Sequence, residues 1–175
     1  MQNLLDEMKK EIVPIGLILV LALARLIPHP PNFTPIIAVA IMSGYFFKNI
    51  KLSFFALLIA MLISDLFIGF YENIIFVYVA LLLITFVFYK IANKINFKNL
   101  FIYGFGGSLI FFIISNFGVW ALGSPGVLNL PYEKNLVGLI NCYVLALPFL
   151  KNTLLSTIFF SYIGLIFGRI YYKTA

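Results

Sequence analysis

Long uncharged, apolar segments dominate this sequence and limit the folds that are open to it. Two of them are residues 54–63 and 74–88, and hydrophobic residues make up 63% of the chain against 10% charged residues. A soluble domain carries roughly a quarter charged residues. Inside a bilayer every backbone group must be paired internally, so spanning segments are helices or strands of a closed barrel. Barrel strands would alternate at period two, and these segments do not. The sequence therefore predicts an all-α membrane protein.

Seven apolar segments are candidates for membrane helices, since about 20 residues cross the hydrocarbon and roughly 17 to 25 are tolerated. We predict six transmembrane helices: residues 12–27, 35–47, 52–70, 74–91, 100–122 and 153–167. The seventh segment, 136–150, has the length of a re-entrant or interfacial helix. Residues 1–11 are mixed in charge and precede no small-residue cleavage site, unlike a secretory signal. We expect them to form a cytoplasmic N-terminal segment of a single transmembrane domain that covers 1–175.

The basic residues predict the orientation of these spans, because Lys and Arg accumulate in short cytoplasmic loops. With the N-terminus inside and six spans, three of the 12 basic residues, Arg25, Lys134 and Lys151, fall outside. The other nine fall inside: Lys9, Lys10, Lys48, Lys51, Lys90, Lys94, Lys98, Arg169 and Lys173. Both termini are therefore expected in the cytoplasm. The net charge of +6 then reflects orientation and contact with anionic lipid. Since the basic residues are scattered singly, no nucleic-acid partner is predicted.

The segment 25–35, which joins the first two spans on the predicted outer side, holds four prolines in eight residues. Proline removes a backbone donor and restricts the residue before it, so this segment cannot be a helix. A stiff connection would hold Arg25, His29, Asn32 and Phe33 in fixed positions over a ligand pocket. The alternative is that the prolines only turn the chain, while Arg25 reaches a lipid headgroup.

Asp65 lies near the outer end of the third predicted span. Ionisable groups in spans are costly and pair with one another or face water. Arg25 is the expected partner, because both residues fall near the outer boundary. The pair is either part of a substrate site or a purely structural ion pair.

Asn116 and Trp120 are four residues apart and share one helix face. Their amide and indole groups would suit a planar ligand with polar edges. Alternatively, Trp120 is an interfacial anchor and Asn116 bonds a neighbouring helix. Tyr132 in the following outer loop and Asn141 in segment 136–150 complete the predicted substrate-binding residues.

Catalysis and metal binding are not predicted. The sequence has no Ser, His and Asp cluster, no zinc-protease motif and no nucleotide-binding loop. Cys142 could ligate a soft metal or the metal of a cofactor, but a lone buried cysteine is more often a small hydrophobe. His29 as a metal ligand is similarly disfavoured, since no second His lies nearby. We expect no enzyme and no cofactor, and any uphill transport would draw its energy from a partner or an ion gradient. The Gly104 to Ser108 run, and Ala40 with Gly44, are expected to permit close helix packing.

Several motifs resemble an uncharacterised bacterial membrane family. They are RLIPHPPNFTP at 25–35, Ser64-Asp65 with Gly69, SNFGVW at 115–120 and GLINCYVLALPFLKNT at 138–153. This resemblance covers residues 12 to 170. That family is similar to the substrate-binding S components of energy-coupling-factor vitamin transporters, with which this chain shares its size, predicted span count and orientation.

The resemblance implies a six-helix fold in the bacterial cytoplasmic membrane that captures a vitamin- or cofactor-like molecule in an outward pocket. It also implies partners, namely a transmembrane coupling subunit and two ATPases. Many S components dock through an Ala-x-x-x-Ala motif in the first helix, whereas Ala22 and Ala24 here are two apart. The chain could therefore also work alone. Two other hypotheses are a structural scaffold of the cell envelope without a small-molecule substrate and an intramembrane enzyme that acts on lipid.

Overall fold

The computed structural model describes residues 2–92 and 95–174, and within these ranges every regular element is helical. The predicted inside residue Lys94 lies outside the described residues, as do the side chains of Lys9, Lys10 and Lys173. A 3-10 turn, Ala24–Leu26, extends the first helix. The six α-helices are α1 (Gln2–Leu23), α2 (Ile36–Phe46), α3 (Ile50–Ile68), α4 (Ile74–Ile91), α5 (Leu100–Leu122) and α6 (Leu136–Thr174).

Four of these helices, α3 to α6, are long and apolar enough to cross a membrane. The chain is thus a helical membrane protein, as its apolar segments predict. The other two described apolar helical stretches, Pro14–Leu26 and Ile36–Phe46, are shorter. With a rise of about 1.5 Å per residue, the 11 residues of α2 extend about 16 Å, roughly half of the hydrocarbon thickness. Helix α2 is therefore too short to cross the bilayer alone. The prediction of six spans is wrong in its count, since four of the described helices have the length and composition of a span.

The prediction of a separate re-entrant helix at 136–150 is wrong. That segment and the predicted last span, 153–167, belong to the single 39-residue helix α6. Pro148 and Lys151 suggested a break, but both side chains are exposed, and one proline removes only one helical hydrogen bond. Asn152 faces inward instead, and its Nδ2 donates to the Pro31 carbonyl at 2.9 Å. The helix continues because its polar residues have partners or solvent.

Helix α2 is the centre of the bundle. Ten of its 11 residues are buried, and it packs against each of the other five helices. Its closest approach is to α4, where a Cβ on Gly44 would overlap the Thr85 carbonyl oxygen. The Thr85 hydroxyl donates to the Ala40 carbonyl at 3.0 Å, which satisfies a buried polar group across the interface. The predicted close packing at Ala40 and Gly44 is confirmed.

The proline-rich connection between α1 and α2 lies against the middle of α6. Pro31 accepts the hydrogen bond from Asn152, and the Phe33 ring packs against Phe160 with centroids 6.1 Å apart. Asn32 takes a left-handed conformation (φ 59°) in the turn, which asparagine tolerates better than most residues. Because this non-helical connection lies beside the middle of α6, α2 begins inside the bundle and is short.

Candidate functional site

Arg25 is the charged residue around which the candidate site is built. It lies in the turn after α1, and only 9% of the residue is exposed. Its Nη1 lies 2.8 Å from Asp65 Oδ1 and donates to Ser64 Oγ at 2.6 Å. The Ser64 hydroxyl in turn donates to the Met61 carbonyl at 2.9 Å. The predicted pairing of Arg25 with Asp65 is confirmed, and it fixes the end of α1 to α3.

Asp65 has a second partner on α4. Its Oδ2 accepts a hydrogen bond from the Tyr78 hydroxyl at 2.7 Å, and the residue is fully buried. A buried ion pair is tolerated only where further hydrogen bonds satisfy the remaining oxygens and protons. Tyr78 supplies such a bond to Asp65 Oδ2, and Ser64 accepts one from Arg25. Asp65 Oδ1 meets Arg25 through the ion pair and accepts no hydrogen bond.

Tyr71, in the connection between α3 and α4, lies beside this network. Burial and, second, the Asp65 carboxylate raise the pKa of Tyr71 to about 12, while the Arg25 guanidinium partly opposes them through its charge and a hydrogen bond. The phenol therefore keeps its proton at neutral pH. It remains a hydroxyl donor beside the guanidinium.

A cavity of about 320 Å³ adjoins Arg25, within the range of small-molecule sites. It lies where the connections that follow α1 and α3 meet α5 and α6. Most of its polar lining groups are uncharged, and its apolar lining would suit the face of a ring. The lining residues are Arg25, Asn32, Thr34, Ile36, Tyr71, Asn73, Val77, Phe111, Ser115, Asn116, Val119 and Thr153.

The polar groups that α5 and α6 place in this cavity have already donated hydrogens to their own helices. Ser115 Oγ donates to the Phe111 carbonyl at 2.7 Å, and Thr153 Oγ1 donates to the Phe149 carbonyl at 3.0 Å. A hydroxyl has one hydrogen and two acceptor lone pairs. In this arrangement both hydroxyls present lone pairs to the cavity.

Three predicted substrate-binding residues, Arg25, Asn32 and Asn116, line the same cavity. Asp65 lies behind Arg25 and does not line it. Asn116 Nδ2 donates to the Phe112 carbonyl at 2.8 Å, which leaves its Oδ1 as an acceptor. The structure thus brings together residues from two separate predicted segments, 25–35 and 115–120, in one cavity.

The other predicted residues of the proline-rich segment lie elsewhere. His29 is exposed, and its Nδ1 contacts the neighbouring Pro30 carbonyl at 2.9 Å. Phe33 packs on Phe160 of α6. Neither side chain lines the cavity.

Trp120 and Tyr132 stabilise the connection between α5 and α6. The Trp120 indole N–H donates to the Glu133 carbonyl at 2.9 Å, and the Lys134 ammonium lies over its ring, 5.5 Å from the centroid. Tyr132 packs against Gly126, and its hydroxyl accepts from the Val127 N–H at 3.3 Å. Both aromatic residues close this connection over the end of α5, and neither lines the cavity.

Asn141 and Cys142 lie near the beginning of α6. Asn141 is exposed and outside the cavity lining. Cys142 is buried, and its thiol contacts the Asn116 carbonyl at 3.4 Å. Among the described residues, no three His, Cys, Asp or Glu side chains are grouped to hold a metal ion.

The predicted site omitted several residues that line the cavity: Thr34, Tyr71, Asn73, Ser115 and Thr153. Thr34 and Ser115 belong to motifs that the sequence analysis singled out, so their proximity to predicted residues was an available signal. Tyr71 and Asn73 lie in the connection between the third and fourth predicted spans, a few residues after Asp65. Thr153 was harder to find, because it was assigned to the start of a separate span.

The cavity lies within a region that matches a known protein family. The profile of a family of unknown function (DUF6580) matches residues 6–173, which is nearly the whole chain. The chain belongs to this family. Neither a curated protein nor a solved structure matches it at a significant level. In this DUF6580 member, the matched region contains all of the cavity-lining residues.

Proposed function

We propose that this protein captures a small vitamin- or cofactor-like molecule for uptake across a bacterial cytoplasmic membrane. The observation that carries the proposal is the cavity of about 320 Å³ beside the buried Arg25–Asp65 pair. Ionisable residues within membrane segments mark substrate and ion pathways more often than lipid-facing surfaces. A cavity with several convergent polar groups is also the usual form of a ligand site.

The proposed cavity faces the outside of the cell. The connections at the opposite end of the bundle carry Lys48, Lys51 and Lys98, and short basic connections favour the cytoplasm. The same end is held together by aromatic hydroxyls, since Tyr89 donates to the Lys48 carbonyl at 2.8 Å and Tyr162 donates to the Phe97 carbonyl at 2.7 Å. Both termini are then cytoplasmic.

Energy for uptake comes from outside this chain in our proposal. The sequence has no nucleotide-binding motif, and its resemblance to S components favours a transmembrane coupling subunit with two ATPases as partners. Since the usual Ala-x-x-x-Ala docking motif is absent from Ala22 and its neighbours, the same capture site could also serve a protein that works alone with an ion gradient.

Native mass spectrometry of the protein, purified from its host membrane into lipid nanodiscs, tests this proposal. We expect a retained small molecule at one copy per chain, released by mild denaturation. Copurified ATPases would identify the energy source. A protein that carries no small molecule but copurifies with envelope-synthesis proteins would contradict capture and support the scaffold hypothesis.

A further inference from the structure

The hydrogen-bonding groups of the cavity select the chemistry of its ligand. On the α5 and α6 side, the hydroxyls of Ser115 and Thr153 donate to carbonyls of their own helices. Asn116 has used one amide hydrogen in the same way. Ser115, Thr153 and the Asn116 Oδ1 thus offer lone pairs to the cavity, while the second Asn116 amide hydrogen offers a donor. A ligand with N–H or O–H donors fits this side best.

The Arg25 side of the cavity offers donors. Its Nη1 contacts Asp65, Ser64 and Met61 Sδ, and the guanidinium carries further N–H groups on Nε and Nη2. Guanidinium has no acceptor, so a ligand must present a carbonyl or similar acceptor here. Tyr71 also lines the cavity, and its hydroxyl adds to the polar character of this side.

The charge of the cavity is balanced before a ligand enters. Arg25 is the charged member of the lining, and the fully buried Asp65 carboxylate neutralises it at 2.8 Å. An anionic ligand would introduce an uncompensated charge into a partly buried site, which is costly. Its carboxylate or phosphate oxygens would also meet the lone pairs of Ser115 and Thr153.

We infer that the ligand is an uncharged solute with both a carbonyl acceptor and N–H or O–H donors, of the amide, ureide or lactam class. The apolar lining by Val77, Phe111 and Val119 suits a flat ring that carries this group. The inference rests on the proposed capture function and narrows it, because carboxylate and phosphate anions are excluded as the preferred ligands.

Matched amide and acid probes test the inference. We would measure binding of nicotinamide against nicotinate, pyrazinamide against pyrazinoate, and biotinamide against biotin, by equilibrium dialysis with the protein in nanodiscs. The wild type should bind at least one amide, at least about tenfold more tightly than its acid, because only the acid buries a net charge. Equal affinity or a preference for the acids overturns the inference.

Two variants test the charge of the cavity and one of its hydrogen-bond acceptors separately. Asp65→Asn removes a charge that does not line the cavity and should move the amide-to-acid ratio by about tenfold toward the acids. Ser115→Ala, which removes one acceptor without changing the charge, should weaken the amide by roughly threefold to tenfold and should not weaken the acid. An unchanged ratio in a folded Asp65→Asn protein, or equal weakening of both probes by Ser115→Ala, contradicts the assignment.

The failure of this inference is distinguishable from failure of capture itself. If none of the six probes binds, but native mass spectrometry finds a retained anion, capture stands and the amide assignment is wrong. If no probe binds and no solute is retained, both are wrong.

Discussion

Arg25 Nη1 lies 2.8 Å from Asp65 Oδ1, and the two side chains are 7% and 0% exposed. This pair joins the turn after α1 to α3, and Tyr78 ties Asp65 to α4. The network therefore both supports the bundle and sets the charge of the adjacent cavity.

Removal of one member of this pair should be strongly destabilising. We expect Asp65→Ala to lower the free energy of unfolding by about 3–5 kcal/mol, because Arg25 would remain buried and unpaired. The double variant Arg25→Met with Asp65→Leu should lose less than Asp65→Ala. Denaturant unfolding in detergent measures both, and Glu72→Ala is the matched control, since Glu72 is exposed. A double variant less stable than Asp65→Ala would contradict the ion-pair account.

The α2–α4 contact predicts a second effect on stability. Gly44→Ala should cost roughly 1–3 kcal/mol, because the added methyl group overlaps the Thr85 backbone and overpacking forces the backbone to shift. Gly106→Ala is the control, since a Cβ there meets no atom within 4 Å. Thermal unfolding of both variants would check this, and equal stability would refute the close contact.

A Trp120 variant tests the α5–α6 connection independently of the cavity. Trp120→Phe removes the hydrogen bond to the Glu133 carbonyl and should cost about 1 kcal/mol of stability. Solute retention should stay at the wild-type level, because Trp120 does not line the cavity. Parallel measurement of unfolding and retention checks both statements. If a fully folded Trp120→Phe protein lost its retained solute, Trp120 would belong to the binding site after all.

The sidedness of the cavity predicts a labelling pattern. In a Cys142→Ser background, His29→Cys should react with a membrane-impermeant maleimide in intact cells, whereas Lys48→Cys should react only after the membrane is opened. The reason is that His29 lies at the cavity end and Lys48 at the basic end of the bundle. Labelling of Lys48→Cys in intact cells would reverse the proposed orientation.

The positions of several helices could be predicted from the sequence more accurately than their continuity and packing. The bounds of α4 and α5 follow from uninterrupted apolar residues between polar connections, and Ile74–Ile91 and Leu100–Leu122 have the predicted ends. The continuity of α6 was missed, because Pro148 and Lys151 are typical of a helix boundary. Their exposure and the bond of Asn152 to Pro31 depend on tertiary packing, which local patterns do not contain.

The same limit applies to the candidate site. The Arg25–Asp65 pair was predictable, because two buried opposite charges near one boundary have few other partners. The orientation of the Trp120 side chain was not predictable. Four-residue spacing puts Trp120 on one helix face with Asn116, but its indole N–H donates to the Glu133 carbonyl in the α5–α6 connection. Thr153 enters the cavity only because α6 runs past it without a break.

The most direct test of capture compares two asparagine variants by native mass spectrometry of protein in nanodiscs. Asn116 lines the cavity, whereas Asn141 is exposed on α6 outside it, so each substitution removes the same amide group. We predict that Asn116→Ala retains at least about tenfold less solute than the wild type, as expected when a buried ligand hydrogen bond is lost, and that Asn141→Ala retains the wild-type amount. Equal retention by the two variants, or a wild-type protein that carries no solute, would contradict a capture site in this cavity.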